Sequence, residues 1–363
     1  MYSNELKAIK RQNLFRERSF ENPDLIDFAS NDYLGLSEVK SLLNDTCKSL
    51  QNYTSHSPKA SQMVNGYHKI HKNFEEYLCE INGFESAIVA GSGFLANLAL
   101  IEALPRKKDL LVLDEEYHAS GVMATKLVDA KVVYFKHNDM EDLENIVKNS
   151  DFKRVIVAVE GIYSMSGDLL KKEIFGLCKR YKFLLIVDEA HSVGVVGKNL
   201  LGVFDLFHIE PTQYHIKMGT LGKALGSYGA YILCSKHIRE FLQNRAKSLI
   251  YATAPSLFDI ELARFSMLYM NSRKEHFFTE ISRRRGVVKS YFGVDMDGLI
   301  FPYRVKTSKD VLIYKERLSV AGFSIGAIRP PTIKEPILRI IPRVNIDIEK
   351  FEELCGHLLE CSK

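Results

Sequence analysis

The chain has 363 residues, of which 46% are hydrophobic and 26% charged, so it can bury a large core and form two domains. Its 49 basic and 45 acidic residues give a formal net charge of +4 without a basic block, which argues against nucleic-acid binding. No apolar run approaches the roughly eighteen residues of a membrane span, and the six scattered cysteines lack metal-ligand spacing, so a cytoplasmic protein with no metal site and no membrane anchor is expected.

The first two thirds of the chain contain an N-terminal segment and then a series of short apolar runs. We expect residues 1–45 to pack across two domains and residues 46–255 to form the larger domain. The predicted strands there are "SAIVAG", "DLLVLD", "KVVYFK", "RVIVAVEG", "FLLIVDEAHS" and "YHIKMG". Most are apolar throughout, and helical segments such as "LKKEIFGLCKRY" separate them. This pattern predicts an α/β fold with a largely parallel sheet and helices on both faces.

The pattern changes after about residue 255. Long amphipathic stretches ("LFDIELARFSMLYMNS", "KDVLIYKERLSVAG", "IDIEKFEELCGHLLEC") predict helices, and "LIFPYRVK", "SIGAI" and "ILRII" predict strands between them. Residues 256–363 are therefore expected to form a smaller α+β domain.

Ligands of such sheets bind beyond the carboxyl ends of the strands, where this chain has several polar groups. Asp188 stands where one apolar strand stops, and His191 follows it in "DEAHSVG". Lys223 lies among small residues in "GTLGKALG", after the last predicted strand. Taken singly, Asp188 could be a helix N-cap or a loop ion pair, and Lys223 could be a surface lysine.

Together these groups predict a site for pyridoxal 5'-phosphate, which needs a lysine for its aldehyde, an acid for its ring nitrogen and ligands for its phosphate. At ~4 Å and an effective dielectric of ~20, Asp188 would favour the protonated ring by ~4 kcal/mol, or about three pK units. His118 could stack on the ring or be structural. The predicted phosphate ligands are Ser92, Gly93 and Phe94 at the start of a helix, with the Thr220 hydroxyl.

At these residues the sequence resembles the α-oxoamine synthases, pyridoxal-phosphate enzymes of the type I transferase fold. The resemblance runs nearly from end to end, through "FASNDYLGLS", "GYHKIHKNFEEYL", "AGSGFLAN", "EEYHAS", "VEGIYSMSGD", "VDEAHSVGVVG", "TLGKALGSYGA" and "AIRPPTI". It implies a PLP-dependent acyltransferase with a largely parallel central sheet and a smaller C-terminal domain.

The resemblance also implies roles for individual residues. Lys223 would bond covalently to the cofactor, with Asp188 at the ring nitrogen and His118 on the ring face as the other catalytic residues. His191 would donate to the phenolic oxygen, with Ser164 near it, while Asn31 and Arg339 would lie near the substrate carboxylate. Residues 249–255 ("LIYATAP") match a segment that reaches the neighbour's phosphate, which implies a homodimer with shared active sites.

Members of this family differ in the amino acid that they use. "AIRPPTI" and the compact length resemble most the alanine-using branch, which condenses L-alanine with pimeloyl-CoA or pimeloyl-ACP in biotin synthesis. Arg16 could bind the distal carboxylate of the pimeloyl chain or be a surface residue. Arg343 is likewise expected to be a surface residue. Two alternatives stay open: a glycine-using acyltransferase of the same family, and a catalytically silent scaffold subunit.

One segment departs from the family pattern. A glycine-rich stretch is usual before "GYHKIH", but this chain has "SHSPKASQMVN", in which Gln62 takes a position that is often basic. The identity of the acyl donor is open for this reason.

Overall fold

The computed structural model describes residues 1–11, 15–18, 20 and 22–361. Its strands are β1 (Ile26–Asp27), β2 (Ser86–Ala90), β3 (Asp109–Asp114), β4 (Lys131–Phe135), β5 (Arg154–Glu160), β6 (Leu184–Asp188), β7 (His215–Thr220), β8 (Ala230–Cys234), β9 (Phe301–Arg304), β10 (Phe323–Ser324), β11 (Gly326–Ile328) and β12 (Ile337–Ile340). Its α-helices are α1 (Ser3–Arg11), α2 (Lys40–Leu50), α3 (Lys69–Asn82), α4 (Gly93–Ala103), α5 (Ala119–Ala124), α6 (Met140–Lys148), α7 (Glu173–Tyr181), α8 (Val203–Leu206), α9 (Lys236–Arg245), α10 (Lys247–Ile250), α11 (Leu257–Ser272), α12 (Lys274–Phe292), α13 (Ser308–Val320) and α14 (Ile348–Cys361).

Within the described chain, residues 86–234 form a seven-stranded sheet in the order β2-β8-β7-β6-β5-β3-β4. Neighbours from β7 to β4 are parallel, whereas β8 is antiparallel to both β7 and β2. Residues 221–229 are too few for the crossover of a dozen or so residues that a parallel connection needs, so β8 must run back. The sequence analysis predicted the other six strands and missed β8.

Apolar packing on both faces explains why these strands read as continuous apolar runs. Every residue of β2, β3 and β8 is buried. Alternate strand residues pack into two separate cores: Val112 and Val187 contribute to one, and Leu111 and Ile186 to the other. Since a parallel sheet needs cover on both sides, the carboxyl ends of the strands are left as the place for a ligand.

The C-terminal part contains the long helices α11 and α12 and a three-stranded antiparallel sheet in the order β11-β12-β9. The N-terminal segment joins this part, because β1 pairs with β10 and Phe28 O accepts a hydrogen bond from Ile341 N (2.8 Å). The domain boundaries at residues 45 and 255 stay predictions. In the part of the chain that the structure describes, every helix is too short or too polar to cross a bilayer.

Arg343 was expected to be a surface residue, but the structure shows that it is buried. Its guanidinium bonds Asp27 Oδ2 and Asp32 Oδ2 (3.0 Å each) and also Glu38. These carboxylates come from a segment more than 300 residues earlier in the chain, and they neutralise a charge that would otherwise be costly to bury. Arg343 thus attaches residues 27–38 to the C-terminal part.

Candidate active site

The predicted chemical groups meet at the carboxyl ends of β5, β6 and β7. Glu160 ends β5 and lies directly beside Asp188, which ends β6. Both side chains are buried, and Lys223 lies in the loop that follows β7. Parallel neighbours bring these three positions together because all their strands end at the same edge of the sheet.

Lys223 is a partly buried lysine. Its Nζ lies 2.8 Å from His191 Nε2. Burial disfavours the ammonium form and lowers the pKa of Lys223 to about 8, although the negative charges of Asp188 and Glu160 act against this shift. A substantial fraction of this amine is therefore neutral, and able to attack an aldehyde, near physiological pH.

A second buried lysine, Lys217 on β7, differs from Lys223 in its contacts. Lys217 Nζ donates to Asn82 Oδ1 (2.7 Å) and to the Leu201 carbonyl, and it lies 3.9 Å from Glu189 Oε1. These partners occupy the amine fully, so Lys217 is structural, whereas Lys223 contacts a histidine of the candidate site.

Asp188 is fixed by hydrogen bonds on both carboxylate oxygens. Oδ1 accepts from Ala190 N (2.9 Å), and Oδ2 accepts from Asn97 Nδ2 (2.8 Å). Asn97 in turn accepts from the Tyr117 hydroxyl (2.7 Å), which fixes the orientation of its amide. The sequence analysis named Ser92, Gly93 and Phe94 at the start of this helix and missed Asn97, although a polar residue on the largely apolar helix α4 was a usable signal.

Glu160 is a second acid that the sequence analysis did not single out. Burial, together with the negative charge of Asp188, raises the pKa of Glu160 well above its ordinary value, so this carboxyl is neutral. Its Oε2 accepts from Ser164 N (2.9 Å), while Oε1 is buried without a hydrogen-bond partner among the described residues.

The start of α4 and the end of β7 form a cradle that fits a phosphate. Ser92 caps the helix by accepting from Leu95 N (3.2 Å), and the first amides of a helix have no intrahelical acceptor. Thr220 Oγ1 is buried and has no hydrogen-bond partner in the described chain. A Cβ at Gly93 would lie 2.6 Å from Thr220 Cγ2, so only glycine lets the helix approach this close. Phe94 follows with an exposed side chain.

His118 begins α5 and accepts from Ser120 N (3.2 Å), so its ring position is determined by the helix cap. His118 Nδ1 also lies 2.7 Å from Ser120 Oγ, and Asn97 donates to that same hydroxyl (3.0 Å). One network therefore connects His118 with the amide that holds Asp188.

Arg339 and Asn31 meet although they are 308 positions apart in sequence. Arg339 Nη1 donates to Asn31 Oδ1 (2.9 Å), and its Nε donates to the Ser164 carbonyl (2.7 Å). Both acceptors are uncharged, so they leave the charge of this buried guanidinium uncompensated. Such a group is suited to bind a carboxylate through paired, charge-assisted hydrogen bonds.

His191 and Tyr33 lie between Lys223 and Arg339. Burial, and then the charges of Lys223 and Arg339, hold the pKa of His191 well below its ordinary value, so the ring is neutral. Its Nδ1 is 2.5 Å from the hydroxyl of the fully buried Tyr33, which the sequence analysis missed. Arg16, by contrast, is exposed and has no hydrogen bond or ion pair to these described site residues.

Comparisons with known proteins show the family to which the chain belongs. Residues 23–358 match the family model of the aminotransferases of class I and II. The chain is 41% identical over 365 residues to the 8-amino-7-oxononanoate synthase of Helicobacter pylori, a match that covers 100% of this chain and 98% of that protein.

Solved structures show the same fold. The 8-amino-7-oxononanoate synthase of Francisella tularensis superimposes with a TM-score of 0.78 at 26% identity, covering 93% of this chain and 98% of that one. A serine palmitoyltransferase of S. paucimobilis with bound PLP has a TM-score of 0.88 at 22% identity, covering 99% and 97% of the two chains. The predicted fold class is confirmed, and the chain belongs to the aminotransferase class I and II family.

Proposed function

We propose that the chain condenses L-alanine with a pimeloyl thioester and releases carbon dioxide, giving 8-amino-7-oxononanoate for biotin synthesis. The full-length similarity to synthases of that name supports this reaction. The structural observation that carries the proposal is the pair of cationic groups on either side of His191 and Tyr33. One is an amine with a pKa of about 8, and the other is a buried arginine without a charged hydrogen-bond partner.

Pyridoxal phosphate is the cofactor. When bound, it supplies an aldehyde and a ring that withdraws electrons from the amino acid. The residues that would hold it are Ser92, Gly93, Phe94 and Thr220 at the phosphate, Asp188 at the ring nitrogen, His118 on the ring face, His191 and Ser164 at the phenolic oxygen, and Lys223 at the aldehyde. The buried, unpartnered hydroxyl of Thr220 and the Gly93 cradle fit this group.

The residues of the chain divide the remaining work between two ends of the site. Arg339 and Asn31 bind the carboxylate of L-alanine and orient its α-hydrogen. The amine of Lys223 removes that proton, since a pKa of about 8 is close to the operating pH that suits a general base. Asp188, held by Ala190 N and Asn97 Nδ2, faces the ring nitrogen and favours its protonated form.

The acyl donor is assigned to the region around residues 60–66. Ser61 Oγ donates to the Ile250 carbonyl (2.6 Å), and Ala254 N donates to Ala60 O (2.9 Å), so this region lies beside residues 250–254. Gln62 donates to the Val89 carbonyl (2.8 Å) and so connects the region with β2. We assign Arg16 to the distal carboxylate of the pimeloyl chain.

A homodimer with shared sites is part of the proposal. Val64 and Tyr251 are 79% and 80% exposed in the single chain, and they belong to the two adjacent segments just described. A neighbouring protomer would cover these side chains. Light scattering should give twice the mass of the chain, and a fully active monomer would refute the dimer.

The amino acid substrate is tested by hydrogen exchange. Purified holoenzyme is incubated with α-deuterated L-alanine or α-deuterated glycine, and loss of deuterium to solvent is followed. Exchange should be faster with alanine, and rapid exchange with glycine alone would favour the glycine-using reaction. Mass spectrometry of products from a panel of CoA and ACP thioesters then identifies the donor.

Replacing Arg339 with alanine should raise the KM for L-alanine about 10- to 100-fold, because a charge-assisted pair contributes about 1.5–3 kcal/mol. Arg339→Lys should recover part of the loss, since a lysine keeps the charge but not the bidentate geometry. Steady-state kinetics with varied L-alanine provide the measurement. An unchanged KM in Arg339→Ala would remove Arg339 from the substrate site.

Attachment of pyridoxal phosphate to the cofactor-free protein should accelerate about tenfold per pH unit up to about pH 8 and level off above it. The reason is that only the neutral amine of Lys223 attacks the aldehyde. Stopped-flow absorbance at a series of pH values measures the rate. A profile that still rises toward 10.5, the ordinary lysine value, would contradict the lowered pKa.

A further inference from the structure

We infer that Tyr33 is a positioning residue that couples the carboxylate site at Arg339 to Lys223 by determining which ring nitrogen of His191 carries the proton. The inference rests on the proposed function, because it concerns the same site. Its basis is the continuous set of contacts from Arg339 through Asn31, Tyr33 and His191 to Lys223.

The Tyr33 hydroxyl is the central contact of this set. It lies 2.5 Å from His191 Nδ1 and 3.4 Å from Asn31 Oδ1, and it also faces the Arg339 guanidinium. Tyr33 is fully buried, and burial raises its pKa to about 12, so the hydroxyl keeps its proton. Water therefore does not replace these partners, and each hydrogen bond must be made within the protein.

The neutral His191 ring has one N–H donor and one acceptor nitrogen, which allows two arrangements. When Lys223 is an ammonium, it donates to Nε2, so the ring proton is on Nδ1 and the Tyr33 oxygen accepts it. When Lys223 is an amine, Nε2–H donates to Nζ and the Tyr33 hydroxyl donates to Nδ1. A hydroxyl satisfies both arrangements because it donates and accepts, whereas phenylalanine at this position would satisfy neither.

Asn31 connects the position of the His191 ring proton with the carboxylate site at Arg339. In the first arrangement, Tyr33 accepts from His191 and must give its own proton to Asn31 Oδ1. The same oxygen accepts from Arg339 Nη1 at 2.9 Å. A carboxylate that binds Arg339 competes for this donor and frees Asn31 Oδ1 for Tyr33. Binding of the carboxylate thus favours the Nδ1–H form of His191, in which Nε2 accepts a hydrogen bond from Nζ of Lys223 and does not engage the lone pair that takes the α-proton.

The hydrogen-bonded contacts from Arg339 to Lys223, here called the relay, are surrounded by charged groups that also affect the pKa values of His191 and Lys223. Lys223, Arg339 and His118 face His191, and Asp188 and Glu160 face Lys223. A carboxylate on Arg339 would also favour the Nδ1–H form simply by cancelling positive charge and stabilising the ammonium of Lys223. This electrostatic effect does not need the Tyr33 hydroxyl, so the response of the His191 ring proton in Tyr33→Phe distinguishes it from the hydrogen-bonded relay.

The test determines by NMR which ring nitrogen of His191 carries the proton. It uses full-length, cofactor-free protein labelled with 15N-histidine. Spectra are recorded one unit below and one unit above pH 8, and then at pH 8 with propionate, which has the carboxylate of alanine and no amine. In the wild type, the ring proton should move from Nδ1 to Nε2 as pH rises, and propionate should increase the Nδ1–H population. In Tyr33→Phe, the ring should stay in the Nε2–H form, because a buried Nδ1–H would have no acceptor.

Tyr231→Phe is the matched control, since Tyr231 is also fully buried but its hydroxyl has no hydrogen-bond partner among the described residues. This variant should behave as the wild type does. In the holoenzymes, kcat/KM for L-alanine should fall about tenfold in Tyr33→Phe and be unchanged in Tyr231→Phe.

A His191 proton that stays on one nitrogen in the wild type, or that still moves in Tyr33→Phe, would overturn the inference. If Tyr33→Phe does not fold, the wild-type spectra decide alone. Borohydride reduction of the wild-type holoenzyme distinguishes the two proposals. Failure to label Lys223 overturns the proposed function, whereas normal labelling with a fixed His191 tautomer overturns only the role of Tyr33.

Discussion

Replacing Lys223 with alanine should abolish covalent attachment of the cofactor and lower kcat by at least about 10³-fold. In the proposed reaction the side chain is both the nucleophile toward the aldehyde and the base for the α-proton, and general base catalysis alone contributes about 10²- to 10⁴-fold. Borohydride reduction followed by peptide mass spectrometry should add the mass of the cofactor to the peptide that contains residue 223. The variant should lack that mass and the visible absorption of the holoenzyme.

Lys217→Met is the matched control for this variant, because it removes the other buried lysine at the same sheet. Its loss leaves Asn82, the Leu201 carbonyl and the Glu189 carboxyl without the amine. The melting temperature should therefore fall, by an amount that corresponds to about 3–5 kcal/mol, while the peptide containing Lys223 is still labelled. A label on Lys217 in the wild type, or on no lysine at all, would contradict the assignment.

Replacing Asp188 with asparagine should lower kcat about 10²- to 10³-fold and change the visible spectrum of the bound cofactor. The substitution removes the negative charge that favours a protonated ring nitrogen by about three pK units. In the wild type, Asn97 Nδ2 donates to the Asp188 carboxylate at 2.8 Å, and in the variant it would face an amide instead. Kinetics and absorbance spectra of the holoenzyme measure the two effects.

Asp114→Asn is the control for the loss of a buried carboxylate. Asp114 ends the strand β3 of the same sheet, is fully buried and accepts from the Tyr163 hydroxyl (2.7 Å) and Asn138 N (2.8 Å). This variant should lose about 1–3 kcal/mol of stability and keep the wild-type spectrum. A wild-type kcat and spectrum in Asp188→Asn would show that Asp188 does not contact the ring nitrogen.

Local pattern was a reliable guide wherever one segment carries its own signal. The apolar runs of β2 to β7 predicted strands, which are largely buried except for the edge strand β4, and "LFDIELARFSMLYMNS" predicted α11 at the bounds that the structure has. β8 was missed although "AYILC" is an apolar run like the others, and nothing within it indicates its direction or its neighbours. Its place between β2 and β7 follows from the short loop before it, which forces the chain to turn back.

Arg343 and Arg339 illustrate what local pattern cannot determine. They lie four positions apart in "RIIPR", and both are buried. Arg343 is neutralised by Asp27 and Asp32, whereas Arg339 donates to an amide oxygen and a backbone carbonyl, both of which are uncharged. The difference lies in residues that arrive from the other end of the chain.

By itself, the sequence determined the fold class, the strand end that carries Asp188 and the small-residue loop that carries Lys223, because each depends on neighbours along the chain. Only the tertiary structure decided that Gly93 lies beside Thr220, that Asn97 holds Asp188, that burial raises the pKa of Glu160 and that Tyr33 contacts His191. Burial and charge pairing depend on contacts between distant segments, and these contacts exist only once the chain has folded.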